Sequence, residues 1–326
     1  MYKSKLDIKQ TQHAIQDLKF AFTKQIYKRL NLTRVSAPLF VKSALKINDG
    51  LNGEKPVVFT PKHTDEVFEV VHSLAKWKRT ALKKYKFDLY EGIYTDMNAI
   101  RREEDLDYKH SYYVDQWDWE MVIDRKDRNV EFLKSIVEKI YESIKFVKRE
   151  LVVDFPVLTY DFPEKITFIT SQELYDLYPN LTPDQRETEF ARKVKAFFVI
   201  GVGYKLPDSQ EHSRRAFDYD DWNLNGDLIL YDKENDAALE ISSMGIRVDE
   251  KSIIEQKEYL QISEDKIAEY HMQVVKNELP LTIGGGIGQS RLSMILLEKK
   301  HIGEVQVSAW DDQTIEYCKQ NNIELL

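Results

Sequence analysis

Thr282-Ile283-Gly284-Gly285-Gly286-Ile287-Gly288-Gln289-Ser290-Arg291-Leu292 is the stretch on which the reading of this chain turns. Glycines at 284, 286 and 288 alternate along it, and Leu292-Ser293-Met294-Ile295-Leu296-Leu297 follows as a buried helix. Side chains alternate across a strand, so alternating glycines strip one face of an extended segment. Glycine weakens a strand interior and marks close approach by a ligand or another backbone. A flat aromatic ligand such as a purine fits that bare face, and Arg291 at the strand-to-helix junction can reach a phosphate with its planar fork of donors. A glycine-rich turn between two elements is the plainer alternative. A P-loop needs Gly-Lys-Ser/Thr after its glycines, and no lysine stands there. The dinucleotide fingerprint needs a βαβ unit with an acid about 20 residues on, and here the chain is nearly over.

The rest of the chain supplies a large core for this stretch. Its 326 residues are 42% hydrophobic and 31% charged, the balance of a globular protein. No apolar run has the length of a membrane span, and the start, Met1-Tyr2-Lys3-Ser4-Lys5, lacks the apolar centre of a signal peptide. Cys318 is the only cysteine, so no intrachain disulfide forms, and a reducing cytoplasm is the expected setting. The net charge of −8 and a pI near 5.5 argue against a nucleic-acid partner.

Lys9 to Leu30 carries Ile15, Leu18, Phe22, Ile26 and Leu30 at helical spacing, with Asn31 to stop the helix. Thr33 to Phe40 reads as a strand interrupted by Pro38. Ser43 to Lys55 is a polar loop with turn signals at Asp49-Gly50 and Asn52-Gly53. A short strand at Val57-Val58-Phe59 and a strand running into a helix over Glu66 to Tyr85 follow. In Tyr113-Val114-Asp115-Gln116-Trp117-Asp118-Trp119-Glu120, strand alternation puts Gln116, Asp118 and Glu120 on one face and both tryptophans on the other. The aromatic face suits packing on helices and the acidic face suits a pocket.

Val130 to Glu150 and Asp184 to Lys195 read as helices, and Phe197 to Gly203 as a buried strand. Asp218-Tyr219-Asp220-Asp221-Trp222 packs three acids into five residues. Leu228 to Tyr231 and Ala238 to Gly245 read as a hairpin around Asn235-Asp236, Ile253 to Asn277 as helical, and Glu304 to Val307 as a closing strand. Strands outnumber crossover helices in the second half, which predicts an α+β fold, a largely antiparallel sheet flanked by helices.

The glycine stretch resembles the third signature motif of class II aminoacyl-tRNA synthetases, Gly-x-Gly-x-Gly-x-x-Arg before an apolar helix. The helix, strand and proline near the chain start resemble the first motif, which forms the dimer interface in that class. Arg101 near Glu104 resembles the second. More specifically, His72 to Arg79, Tyr113 to Glu120, Asp218 to Trp222, Leu224-Asn225-Gly226-Asp227, Ser242 to Val248 and Ile283 to Leu292 look like ammonia-dependent asparagine synthetase, the aspartate–ammonia ligase family. The blocks span about residues 66 to 292, and the length matches a whole chain of that family as one catalytic domain over 1–326. Two departures are visible. The chain is shorter between Trp222 and Leu224, and Asp49-Gly50-Leu51 stands where the family has Asp-Asn-Leu.

The resemblance implies conversion of aspartate, ATP and ammonia into asparagine, AMP and pyrophosphate through a β-aspartyl-adenylate, by a homodimer. It assigns ATP to Arg101, Glu104, Glu240, Gly286, Gly288 and Arg291, with Mg²⁺ on Glu240. Mg²⁺ takes only one or two carboxylates plus phosphate oxygens, so a single Glu suffices. Aspartate falls to Asp49, Ser73, Lys78, Gln116, Asp118 and Ser243: acids and amide oxygen for the ammonium, Lys78 and Arg101 for the carboxylates. Ammonium needs an acid to bind and deprotonate it, with Asp220 the first candidate and Asp227 the second. Arg101, Arg291, Asp220 and Lys78 are the expected catalytic set. A structural salt bridge is the plainer alternative for each of these charges. A tRNA-charging enzyme is the rival reading, disfavoured by the acidic balance and by a first motif that begins almost at Met1.

Overall fold

The computed structural model describes residues 2–50 and 53–326. The first helix, α1 (Ile8–Leu30), is set by a capping box in which Asp7 accepts from the Gln10 amide at 2.8 Å and Gln10 reaches back to the Asp7 amide. It buries Ala14, Leu18, Phe22, Ile26 and Leu30, a row at i, i+4 spacing, and Asn31 ends it in the left-handed region at φ 51°. The chain then forms β1 (Leu32–Arg34), β2 (Phe40–Lys42), β3 (Val58–Phe59), β4 (Phe68–Val70), α2 (Ala75–Tyr85), β5 (Gly92–Ile100), β6 (Tyr113–Val122) and α3 (Val130–Asp154). After these come β7 (Thr167–Thr170), α4 (Ser171–Leu177), α5 (Pro183–Val194), β8 (Ala196–Ile200), β9 (Asp220–Asp232) and β10 (Ala237–Arg247). The last elements are α6 (Ser252–Tyr259), α7 (Glu269–Val275), β11 (Thr282–Gly288), α8 (Gln289–Leu296) and α9 (Asp312–Gln320).

Eight strands form one sheet in the order β1-β5-β6-β11-β10-β9-β8-β7, and β2-β4-β3 form a small second sheet. The six strands from β5 to β8 pair antiparallel throughout, and only the edge pairs β1–β5 and β7–β8 are parallel. The sheet is therefore largely antiparallel, as its sequence pattern requires. The alternation in β6 sorts its two faces. Trp117 and Trp119 are buried in the core with residues of α1 and α3, Trp117 meeting Phe22 at 4.6 Å between ring centroids. Gln116 and Asp118 point the other way, into a cleft. No helix among the described residues is long and apolar enough to cross a membrane.

Three sequence expectations are corrected and one element is added. The strand expected over Thr33 to Phe40 is two strands in different sheets, because β1 pairs with β5 whereas β2 pairs with β4. The helix expected over Ile253 to Asn277 is two helices, broken where Gln261 turns left-handed at φ 53°. Glu304 to Val307 is not a strand. The Glu304 carboxylate ties back to the Lys300 and His301 amides and the Tyr2 hydroxyl, winding Ile302–Glu304 into a tight 3₁₀ turn. Helix α9, capped by Asp311, was not foreseen. Asn52 of the expected Asn52-Gly53 turn and Leu51 of the Asp49-Gly50-Leu51 segment lie outside the described residues.

Candidate active site

A cleft opens over β6, β11 and β10, with about 910 Å³ of space between its walls and across its open mouth. Its floor is the glycine strand. In register, Gly288 lies opposite Gln116, Gly286 opposite Asp118 and Gly284 opposite Glu120. A Cβ on Gly286 would sit 2.3 Å from Gln116 Oε1, and one on Gly284 would sit 2.1 Å from Glu120 Oε2. The bare face is thus shared. Its Gly284 end is filled by the Glu120 carboxylate, while Gly285, Gly286 and Gly288 border the cleft.

One end of the cleft is cationic. Arg291, at the start of α8, donates to the Glu240 carbonyl at 3.2 Å and lies 3.8 Å from the Glu240 carboxylate. Arg101 is 3.9 Å from Glu104, its backbone held to Tyr112 at 2.9 Å, and its Nε is buried with no hydrogen-bond partner. Burial alone would raise the Glu240 carboxyl, but Arg291, Arg215 and Arg101 outweigh it and hold the group below its ordinary value. The sequence brings Arg101, Glu104, Glu240 and Arg291 from three separate regions to this one place.

The other end is built from paired acids. Asp118 accepts from the Leu74 amide at 3.1 Å and from Lys78. Lys78 also donates to the Trp119 carbonyl at 2.8 Å and lies 3.5 Å from Glu120. With 1% of its side chain exposed it lies beneath Asp118 and does not line the cleft. Burial raises Asp118 above the usual carboxylate range despite Lys78. Asp220 lines the cleft in an ion pair with Arg247, whose guanidinium also grips Glu120 at 2.8 Å. Burial outweighs Arg247 and leaves the Asp220 carboxyl raised.

The remaining expected residues divide. Ser73 and Ser243 line the cleft. Asp49 is fully buried at the N-terminus of α2, accepting from the Ala75 amide at 2.7 Å and from the Ser73 hydroxyl at 2.5 Å; it orients Ser73 and does not itself line the cleft. Asp227 lies off the lining, chelated by Arg215 at 2.6 Å, and its carboxyl is pushed up to about 6, first by burial and then, against Arg215, by Glu240 and Glu187. The three acids of 218–222 part company. Asp218 pairs with Lys76 at 2.9 Å and His271 at 3.0 Å, Asp220 with Arg247, and Asp221 with Arg128 at 2.7 Å.

Sequence reasoning missed Arg247, Arg215, Tyr219, Lys109 and His110. The signal for Arg247 was present. Alternation from Ser243 through Gly245 puts it on the cleft face of β10. Among the described residues no cluster of three or more His, Cys, Asp or Glu could cage a metal. Glu240, whose charge acts on Asp227, nonetheless fits a cation that takes one or two carboxylates and completes its shell from phosphate and water.

The family model described as aspartate-ammonia ligase matches residues 9–322. Relatives named aspartate–ammonia ligase include that of Clostridium perfringens, 52% identical over 100% of this chain and 97% of its own. The one from Fusobacterium nucleatum is 52% identical over 100% of this chain and 99% of its own. Among solved structures, asparaginyl-tRNA synthetase of Entamoeba histolytica in complex with asparaginyl-adenylate superposes with a TM-score of 0.66 at 14% identity, over 92% of this chain and 66% of that one. The Pyrococcus horikoshii asparaginyl-tRNA synthetase complexed with asparaginyl-adenylate gives 0.66 at 16% identity, over 91% and 67%. At such identities these two show the fold alone, that of class II synthetase catalytic domains, and this chain spans about two thirds of their length.

Proposed function

Since the chain belongs to the aspartate–ammonia ligase family, which makes asparagine from aspartate and ammonia, we propose that it does so in two steps through a β-aspartyl-adenylate. The observation that carries this reading is the division of one cleft into a cationic end, Arg101 and Arg291, and an end of paired acids around Gln116, Asp118 and Arg247. The adenine lies along Gly286 and Gly288, and the phosphates lie towards the arginines. A β-carboxylate oxygen of aspartate attacks the α-phosphorus, the bond to the β-phosphate breaks, and pyrophosphate leaves. Arg101 and Arg291 neutralise charge as it develops, the largest contribution such a site makes. Glu240 is the residue placed to hold Mg²⁺, which when bound shields the phosphate charge; Glu104 stands across from Arg101 and fixes its guanidinium.

Aspartate is oriented at the other end. Gln116, Asp118, Ser73 and Ser243 offer oxygens to its ammonium, and Arg247 is the cation that reaches its α-carboxylate. Lys78 positions Asp118 from beneath, and Asp49 positions Ser73. In the second step ammonium gives one proton to Asp220, whose raised carboxyl suits a base. The ammonia nitrogen attacks the acyl carbon, the bond to AMP breaks, and the second proton passes to solvent as the amide forms. Aspartate-dependent exchange of labelled pyrophosphate into ATP without ammonium tests the first step. ADP as the nucleotide product would overturn it.

We also read the chain as a single catalytic domain that pairs with a second copy. The groove between α1 and α3 leaves Phe20 at 74% exposure, with Tyr27 and Phe146 beside it, an exposed apolar face that a second copy would cover. Light scattering at micromolar concentration should give twice the chain mass.

A further inference from the structure

Gly288 has no side chain at a position where a helix usually carries a capping one. It is the N-cap of α8, so it offers no acceptor to the free amides of the first turn. The neighbouring arginine explains why. A Cβ at 288 would already touch the Arg291 side chain, at 3.4 Å from its Cβ and 3.7 Å from its Cδ, so a capping side chain there would compete with Arg291 for room. The acceptor comes from the next strand instead. Gln116 lies opposite Gly288 in register, and Asp115, the residue before it, accepts from the Ser290 amide at 3.0 Å. A carboxylate at a helix N-terminus also meets the positive end of the helix dipole.

This contact sits in a buried cluster. Gln306 donates from Nε2 to the Ser290 hydroxyl at 2.9 Å and reaches Asp115 Oδ1 at 3.4 Å. The second Asp115 oxygen faces Lys19 of α1 at 3.7 Å. Gln289 is held in the same manner, donating to Asp96 Oδ1 at 3.1 Å, while Asp96 Oδ2 pairs with Arg34 at 2.8 Å. The first two residues of α8 are thus each fixed by an acid, one from β5 and one from β6. Arg291 is the third residue, and it projects into the cleft. Its aim depends on the turn that carries it as well as on its contact with Glu240.

We propose that Asp115 is a positioning residue for Arg291, capping α8 in place of the side chain that Gly288 lacks and so holding the arginine aimed at the phosphates of ATP. This rests on the adenylate-forming reading above, which gives Arg291 its ligand. Asp115 makes and breaks no bond in the reaction. Without it the Ser290 amide loses its acceptor, the first turn of α8 loosens, and Arg291 samples a wider range of directions. What such a residue supplies is geometry, so the loss falls on ATP binding and on the adenylation step.

Asp115 also borders the cleft, so the test has to separate an effect through Arg291 from a direct one. A double-mutant cycle does this, with calorimetric ATP binding, aspartate KM and thermal melting measured for Asp115→Ala, Arg291→Ala and the double variant. Coupling between residues in contact predicts that Asp115→Ala weakens ATP by roughly three- to thirtyfold in the parent, by less than about twofold in Arg291→Ala, and leaves the aspartate KM within about twofold. Asp115→Asn, whose amide oxygen still accepts from the Ser290 amide, should recover most of the affinity, because asparagine caps about as well as aspartate. Asp115→Leu, which keeps the volume, should repeat the alanine result without opening a cavity. Equal weakening by Asp115→Ala with and without Arg291 would overturn the assignment, as would unchanged ATP binding in a folded Asp115→Ala or Asp115→Leu protein. If the parent chain bound ATP but exchanged no pyrophosphate, the functional reading would fall, while the cycle would still report on Asp115 and Arg291.

Discussion

Three adjacent glycines in β11 should respond to the same added methyl group in three ways, because each faces a different neighbour. Gly284→Ala puts a Cβ 2.1 Å from Glu120 Oε2. That carboxylate cannot retreat, being held by Arg247 at 2.8 Å, by the Thr282 hydroxyl at 2.7 Å and near Lys78 at 3.5 Å. Displacing it breaks a buried ion pair, at about 3–5 kcal/mol. Gly285→Ala meets the Met244 Cβ at 2.4 Å and the Ser243 carbonyl at 2.7 Å, so β10 must move; overpacking of this kind costs about 1–3 kcal/mol. Gly286→Ala meets only the Gln116 amide, at 2.3 Å from its oxygen. That side chain is half-buried and its far end can swing away, so stability should change by less than about 1 kcal/mol. The swing takes Gln116 from the place proposed for the substrate ammonium, and losing a hydrogen bond to a charged group should raise the aspartate KM roughly ten- to a hundredfold. Urea unfolding and steady-state kinetics on the three variants separate these effects. An unchanged aspartate KM in Gly286→Ala, or a stability loss there equal to that of Gly284→Ala, would refute the reasoning.

The fold carries a pH dependence that can be tested without substrate. Burial pushes the His301 imidazole down to about 4, and its Nδ1 accepts from the Gly303 amide at 3.0 Å, which only the neutral ring can do. Between pH about 6.5 and 4 the unfolded chain therefore binds the extra proton and the folded chain does not. His301 stabilisation should be complete above pH 6.5 and fall on acidification by up to about 1.4 kcal/mol per pH unit, a slope that His301→Asn should reduce in denaturant titrations. Arg291→Ala should lose ATP turnover while melting like the parent, and Glu240→Gln should need more Mg²⁺; an unchanged Mg²⁺ titration would leave Glu240 a strand residue. Burial raises the Cys318 thiol to about 11, which makes it a poor nucleophile. Cys318→Ser should keep its activity, and asparagine formation should require ammonium salts and ignore glutamine in both proteins.

The site's backbone was legible from the sequence where one periodicity was at work. Alternation in Gln116 to Glu120 and in Gly284 to Gly288 fixed which residues share the cleft face, because register within a paired strand leaves no freedom. Partners across the sheet were not legible. Lys78 reads as a substrate cation, yet lies under Asp118, since position on α2 says nothing about which carboxylate its side chain meets. The acids of Asp218 to Asp221 read as one cluster and disperse to four basic partners drawn from α2 and α7, β10, and the segment before α3. His110 lines the cleft and was passed over, although the Asp107 that meets its ring stands only three residues before it. The break between α6 and α7 escaped for a local reason. Gln261 adopts a left-handed conformation that glycine or asparagine would have announced.

The central claim is that the β-carboxylate of aspartate becomes bonded to the α-phosphorus of ATP. Aspartate labelled with ¹⁸O in its β-carboxylate, incubated with the protein, ATP, Mg²⁺ and ammonium, tests it directly by mass spectrometry of the products. The account predicts one ¹⁸O atom in the phosphate of AMP for each asparagine formed, and none in pyrophosphate. Label appearing in inorganic phosphate alongside ADP, or asparagine formed with no label in any phosphate, would contradict it.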